Sequence, residues 1–63
     1  MDPTANLREQ LAISNYLVSG RHSAEDKEIA GERLAELVLS LNNWIQNGGF
    51  LPKDWQDKVV TRY

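Results

Sequence analysis

The stretch from Ser23 to Gly49, SAEDKEIAGERLAELVLSLNNWIQNGG, decides the fold. Its apolar residues recur at alternating four- and three-residue steps, which places them on one face of a helix. These positions are Ala30, Leu34, Leu37, Leu41 and Trp44, and Val38 and Ile45 broaden the stripe. Such a seam is typical of a helix that packs against another helix at a shallow angle. We expect a helix over residues 24–47, with Ser23 as its N-cap, Asp26 in the capping-box position and Gly48 as its stop.

A first helix is predicted over residues 3–19, with Asp2 as the N-cap and Gly20 as the stop. Asn6 with Glu9 is an alternative capping pair. At about 100° per residue, one face holds Leu7, Leu11, Ser14, Leu17 and Val18, with Ile13 at its edge, whereas Ala5, Ala12 and Tyr16 lie on the other side. This helix is therefore apolar on more than one side, and the next helix, at about 24 residues against about 16, overruns it by roughly two turns.

A short third helix is predicted over residues 52–60, after the Gly48-Gly49 break. We expect Trp44, Phe50 and Leu51 to form a lid over the overrun, whereas the burial of Trp55 is left open. The alternative is a binding site, because tryptophan is frequent among the residues that dominate protein interfaces. The expected architecture is all-α: a two-helix antiparallel hairpin with a short C-terminal helical cap.

Composition limits what can stabilise so small a domain. The 63 residues form one domain at most, and they include no cysteine and one histidine. Disulfides, thiolate metal sites and histidine-rich metal sites are thereby excluded, and the sequence shows no cofactor motif. Oligomerisation is the remaining means of stabilising a small scaffold. We therefore expect a homodimer in which two hairpins form a four-helix bundle. The predicted core and dimer residues are Leu34, Leu37, Leu41, Trp44, Gly31 and Ala35, and the face that forms the dimer seam is left open.

The candidate surfaces for a protein partner lie outside that seam. An acidic ridge, formed by Glu25, Glu28, Glu32 and Glu36, follows the helix opposite the leucines. Arg21 and His22 lie in the first loop, and an exposed loop is a frequent contact site. Trp55 is the third candidate. The alternative for the ridge is a solvated helix face without a partner.

Several functional classes find little support. The net charge of −2 and the pI of about 5.2 argue against nucleic-acid binding, although the basic residues Lys53, Lys58 and Arg62 leave an accessory role as an alternative. A structural component of a virion or larger assembly is a further alternative. No apolar run is long enough to cross a membrane, and residues 1–8 lack signal-peptide features, so we expect a cytoplasmic protein. We predict no catalytic residue, because His22 lacks an activated nucleophile beside it.

Two segments, NLREQL at residues 6–11 and GERLAELVLSLNNWIQNGGFLPKDW at residues 31–55, carry a resemblance. They resemble very short helical proteins of bacteriophage genomes and environmental viral sequences. Those proteins have a leucine-rich helix that ends in tryptophan, a Gly-Gly-Phe-Leu-Pro turn and a second tryptophan. The resemblance implies a phage or bacterial origin and a protein that binds a host or phage macromolecule, as an adaptor or inhibitor. It assigns no functional residue, because such proteins have no assigned activity.

Overall fold

The computed structural model describes the backbone of residues 1–60 and the side chains of residues 1–56. Within that range the chain is helical, with α1 at Pro3–Val18, α2 at Ala24–Gln46 and α3 at Lys53–Val60. The predicted all-α fold with two long helices and a short third is thus confirmed. Helices α1 and α2 are antiparallel, because Asn6 contacts Leu37 while Glu9, later in α1, pairs with Arg33, earlier in α2.

Local sequence signals account for the helix ends. The Asp2 carboxylate accepts hydrogen bonds from the backbone N–H groups of Thr4 and Ala5, at 3.0 and 3.1 Å. Ser23 Oγ accepts the N–H of Asp26 at 3.1 Å. Both residues are the N-caps that the sequence predicts, and both satisfy donors that the first turn of a helix leaves free.

The C-terminus of α2 is closed by a Schellman motif. Gly48 has φ of 87°, a left-handed conformation that glycine adopts without steric cost. Its N–H donates to the carbonyl of Ile45 at 3.1 Å, and the N–H of Gly49 donates to the carbonyl of Trp44 at 2.8 Å. These two bonds satisfy carbonyls that would otherwise lack partners, so the helix stops here as the sequence predicts.

The buried hydrophobic core is small and lies between α1 and α2. Among the described side chains, Leu7, Leu37 and Leu41 are 4–6% exposed. Asn6 is buried beside them: its Nδ2 donates to the carbonyl of Leu37 at 3.1 Å, and its Oδ1 accepts from Gln10 Nε2 at 2.6 Å. The hairpin therefore encloses a satisfied polar pair within an otherwise leucine core.

The inward position of Asn6 and Gln10 shows that the predicted inward face of α1 is partly wrong. Leu11 and Val18, expected to face inward, are 53% and 82% exposed. Three residues of the predicted face, Leu7, Ser14 and Leu17, are buried or partly buried as expected. The other buried or partly buried positions of α1 are Pro3, Thr4, Asn6, Gln10 and Ile13. An asparagine that bonds the α2 backbone must point at α2, and helical geometry then turns Leu11 and Val18 outward.

Helix α3 packs against the beginning of α1. The N–H of Lys53 donates to Thr4 Oγ1 at 2.9 Å, so a threonine of the first helix caps the third. The Arg8 guanidinium lies 3.4 Å from the Asp54 carboxylate. The Pro52 carbonyl accepts from the N–H groups of residues 55 and 56. Pro52 therefore precedes the helix, whereas the sequence predicts that Pro52 is its first residue.

The predicted lid is only partly correct. Phe50 is 60% exposed, although we expected it to cover the end of the hairpin. Trp44 is half-buried; its Nε1 donates to the Phe50 carbonyl at 2.9 Å, and the two rings meet edge to face. The backbone of Phe50 is thereby held while its ring stays outside. Pro3 and Pro52 are instead the residues enclosed at this end, each under 2% exposed.

Candidate interaction surface

An open apolar groove runs where the three helices meet. It has a volume of about 260 Å³ and is lined by Gln10, Val38, Leu41, Asn42, Ile45 and Trp55. Helix α2 supplies most of the lining because its apolar stripe is wider than α1 can cover. Trp55 of α3 forms the far wall and stays 40% exposed. The groove is thus a direct continuation of the core onto the surface.

The groove belongs to a larger uncovered surface. At about 100° per residue, Gly31 lies about 20° and Ala35 about 60° from Val38 around α2, so the small residues extend the groove toward the first loop. On α1, the exposed apolar residue Leu11, at 53% exposure, directly follows Gln10 of the groove lining in the sequence. We call this surface the open face, and it consists of Leu11, Gly31, Ala35, Val38, Ile45 and Trp55. A Cβ added at Gly31 would meet no atom within 4 Å, so the described chain leaves this part of the face clear.

On the other side of the hairpin, charged side chains of α1 and α2 form an ion pair. Arg33 donates two hydrogen bonds to the Glu9 carboxylate, at 2.7 and 3.1 Å, and lies 3.7 Å from Glu36. The hydrogen bond from Arg33 lowers the pKa of Glu9 below its ordinary value of 4.5, and the Glu9 carboxylate raises the pKa of Arg33. Both groups are well exposed to solvent, which screens the attraction. This side therefore joins α1 to α2 through an exposed ion pair and is more polar than the open face.

The acidic ridge is solvent-exposed along its whole length: Glu25, Glu28, Glu32 and Glu36 are all exposed. Among the described side chains, Glu36 is the one ridge residue close to a cation, at the 3.7 Å contact with Arg33 described above. The ridge is available to a partner, and it equally fits a solvated helix face. Its position on α2 places it beyond the small residues of the open face.

The first loop differs from the prediction. Arg21 is exposed as expected, but His22 is partly buried, because its ring stacks on Tyr16 at a centroid distance of 3.5 Å. Ser19 Oγ lies 2.7 Å from the Tyr16 carbonyl oxygen, and His22 Nε2 lies 2.8 Å from Ser19 Oγ. The imidazole is therefore held in the loop by the Tyr16 ring and the Ser19 hydroxyl.

The predicted core and dimer residues separate into two groups. Leu37 and Leu41 are buried, and Leu34 and Trp44 are partly buried. Gly31 is partly exposed and Ala35 is fully exposed. The leucine seam therefore packs within the hairpin, and the small residues are left facing outward.

The remaining candidate site comprises the basic residues Lys53, Lys58 and Arg62, which we call the basic tail. Lys53 is exposed, the Lys58 side chain falls beyond the side chains described, and Arg62 lies outside the described residues. Among the described residues, no three histidine or acidic side chains are grouped as metal ligands would be. Within the same range, every helix is too short or too polar to cross a membrane.

Comparison with known proteins gives no match: no family model, no curated protein and no solved structure is similar to the chain. The resemblance to short phage-encoded proteins stays a prediction.

The sequence carries part of the signal for the open face. Val38 and Ile45 broaden the leucine stripe, and this width already exceeds what one helix can cover. Gln10 and Asn42 also line the groove, and neither was among the predicted site residues. Amide side chains add nothing to a hydrophobic periodicity, so the apolar pattern does not indicate these two positions.

Proposed function

We propose that this protein is a small non-enzymatic protein–protein interaction module that works as a homodimer, with two hairpins packed through their open faces into a four-helix bundle. The observation that carries the proposal is the amount of surface left uncovered. A compact monomer of 7.2 kDa exposes about 4,100 Å². This chain exposes 4886 Å². The excess, about 800 Å², is what each partner buries in an interface of standard size.

The shape of the chain supports the same conclusion. Its extents are 43, 24 and 14 Å, so it is little thicker than one helix with side chains. Stable domains usually consist of at least two packed layers, and this chain supplies one. Its radius of gyration is 13.7 Å, against about 10.6 Å for a compact domain of 63 residues. Two copies stacked about 9 Å apart would have a value of about 14.4 Å, close to the 13.8 Å or so of a compact 126-residue domain.

The open face has the chemistry that such packing needs. Val38, Ile45 and Leu11 supply apolar contact area, and Trp55 supplies an aromatic anchor at one end. Gly31 and Ala35 let a facing helix approach closely. The broad side, 43 by 24 Å, has a projected area of about 1,000 Å², enough for the interface in question.

Sedimentation velocity across a concentration series tests the dimer. We expect a species of twice the 7.2 kDa chain mass at micromolar concentration. Val38→Glu places a charge in the groove, and we expect it to give a monomer. Leu39→Glu is the matched control, because Leu39 is 68% exposed and points about 100° away from Val38. A wild-type monomer at all concentrations, or a dimer that Leu39→Glu disrupts and Val38→Glu does not, would refute the arrangement.

A dimer of this kind would present two acidic ridges to a larger protein. We propose that the ridge docks a basic surface of a host or phage protein, for which this chain would act as an adaptor or inhibitor. Four exposed carboxylates on one helix support the proposal, since charge of one sign speeds encounter with a basic partner.

The test of ridge binding is a lysate pull-down followed by mass spectrometry, which compares wild type with a triple variant in which Glu28, Glu32 and Glu36 become lysine. Proteins that bind only the wild type would support ridge docking. Equal recovery of the same proteins by both forms would contradict it and would leave the dimer proposal intact. Recovery of nucleic acid that vanishes with rising salt would instead favour the accessory role of the basic tail.

A further inference from the structure

We propose that Asn47 is a site of spontaneous deamidation and that the last turn of α2 controls its rate. Of the five asparagines in the chain, Asn47 alone is followed by glycine. Asn47 and Gly48 are both exposed at the end of α2, where water has access to them. The proposal concerns a covalent change in the chain itself, and it is independent of the dimer and of any partner.

The reaction needs only the chain and water. The backbone nitrogen of Gly48 attacks Cγ of the Asn47 side chain, and the new N–Cγ bond closes a five-membered imide. The Cγ–Nδ2 bond breaks, and Nδ2 leaves as ammonia with the proton that the Gly48 nitrogen gives up. Water then opens the imide at either carbonyl, which yields aspartate or isoaspartate. Glycine favours the first step, because it has no Cβ to obstruct the approach of its nitrogen.

The folded helix end holds all the reacting groups away from that geometry. The Gly48 N–H is engaged with the Ile45 carbonyl at 3.1 Å. The Asn47 side-chain Nδ2 donates to the backbone carbonyl of Asn43 at 2.8 Å and to the Asn43 side-chain oxygen at 3.1 Å. The ψ angle of Asn47 is 17°, which turns the Gly48 nitrogen away from the Asn47 side chain. The last turn must open before the imide can form.

The product would weaken the same helix end. Aspartate at position 47 places a negative charge at the C-terminus of α2, where the helix dipole disfavours it. It also replaces the amide that donates to Asn43 with a group that only accepts. Isoaspartate adds an atom to the backbone between Trp44 and Gly49. In the Schellman motif the Gly49 N–H donates to the Trp44 carbonyl at 2.8 Å, and a longer backbone would disturb this bond. Deamidation therefore promotes further opening of the turn and loosens the attachment of α3.

The experiment measures deamidation by mass spectrometry after incubation at neutral pH, in buffer and in guanidinium chloride. Peptide mapping assigns the site, and a protein isoaspartyl methyltransferase detects isoaspartate. We expect Asn47 to be the main site in the unfolded chain and to react there at least about tenfold faster than in the folded chain, which corresponds to an opening free energy of about 1.4 kcal/mol. Asn47→Gln should abolish the signal at this position.

Gly49→Ala should favour opening of the last turn of α2, because a Cβ at Gly49 would overlap the Trp44 indole. The substitution leaves Asn47 and Gly48, the two reacting residues, unchanged. We expect its folded rate to approach its unfolded rate, whereas Gly31→Ala, remote in the same helix, should keep the wild-type ratio. Reaction chiefly at another asparagine in the unfolded chain would overturn the site. Equal rates for the folded and unfolded wild type would overturn the control by α2.

Discussion

The same substitution at two glycines should change stability in opposite directions. Gly31 lies inside α2, has an ordinary helical φ, and a methyl group added there would meet no atom within 4 Å. Gly49 follows the helix, and a methyl group there would overlap three atoms of the Trp44 indole. Alanine is therefore free of steric cost at the first position and in conflict with a rigid ring at the second.

The magnitudes follow from these surroundings. In a helix interior, alanine is more favourable than glycine by about 0.8–1.0 kcal/mol, so Gly31→Ala should stabilise the chain by about that amount. In Gly49→Ala the indole must move, which breaks the 2.9 Å hydrogen bond from Trp44 Nε1 to the Phe50 carbonyl. That bond is worth about 1 kcal/mol, and overpacking adds a cost, so we expect a loss of about 1–3 kcal/mol.

Thermal unfolding followed by far-ultraviolet circular dichroism measures both changes. For a domain of this size, 1 kcal/mol corresponds to about 4–8 °C in Tm. Gly31→Ala should raise Tm by about 3–8 °C, and Gly49→Ala should lower it by about 4 °C or more. The scans should be repeated at several protein concentrations, because Gly31 lies on the proposed dimer interface. A Gly49→Ala variant as stable as wild type would refute the packing of Trp44 on Gly49.

Three further predictions concern the core, a cap and a charge pair. Leu41→Ala should cost about 2–5 kcal/mol in chemical denaturation, since Leu41 is 4% exposed, and Leu39→Ala should stay within about 0.5 kcal/mol. Ser23→Ala removes the N-cap of α2 and should cost about 1 kcal/mol in the same assay. The stability that Arg33 gives Glu9 should be complete above the ordinary Glu9 pKa of 4.5 and should disappear as pH falls through the lower pKa of the folded state. Glu9→Gln should therefore flatten the acid limb of the pH–stability profile, and an unchanged limb would contradict this.

Helix positions could be predicted because their signals are local. The caps Asp2 and Ser23, the stop at Gly48 and the leucine seam each depend on residues within one or two turns. The face of α1 could not be predicted in the same way. Its orientation depends on a hydrogen bond from Asn6 to the carbonyl of Leu37, a contact between residues 31 positions apart. Hydrophobic periodicity gives no weight to an asparagine, so the predicted face is centred too far toward Leu11.

The candidate surface was only partly predictable for a related reason. The small-residue side of α2 followed from Gly31 and Ala35, and the excess width of the stripe followed from Val38 and Ile45. The groove itself depends on where α3 places Trp55, and that placement requires the turn at residues 47–52. The exposure of Phe50 depends on the hydrogen bond from Trp44 Nε1 to the Phe50 carbonyl. Hydrophobicity alone predicts that Phe50 is buried, because it takes no account of such a bond.

The cap that Thr4 provides for Lys53 also bears on the order of folding. The two residues are 49 positions apart, so the loop that this contact closes spans most of the chain. Closing so long a loop directly would cost considerable chain entropy, and the hairpin of α1 and α2 shortens it by bringing the start of α1 near the end of α2. Docking of α3 should therefore follow hairpin formation, and Thr4→Ala should speed unfolding while leaving the folding rate nearly unchanged.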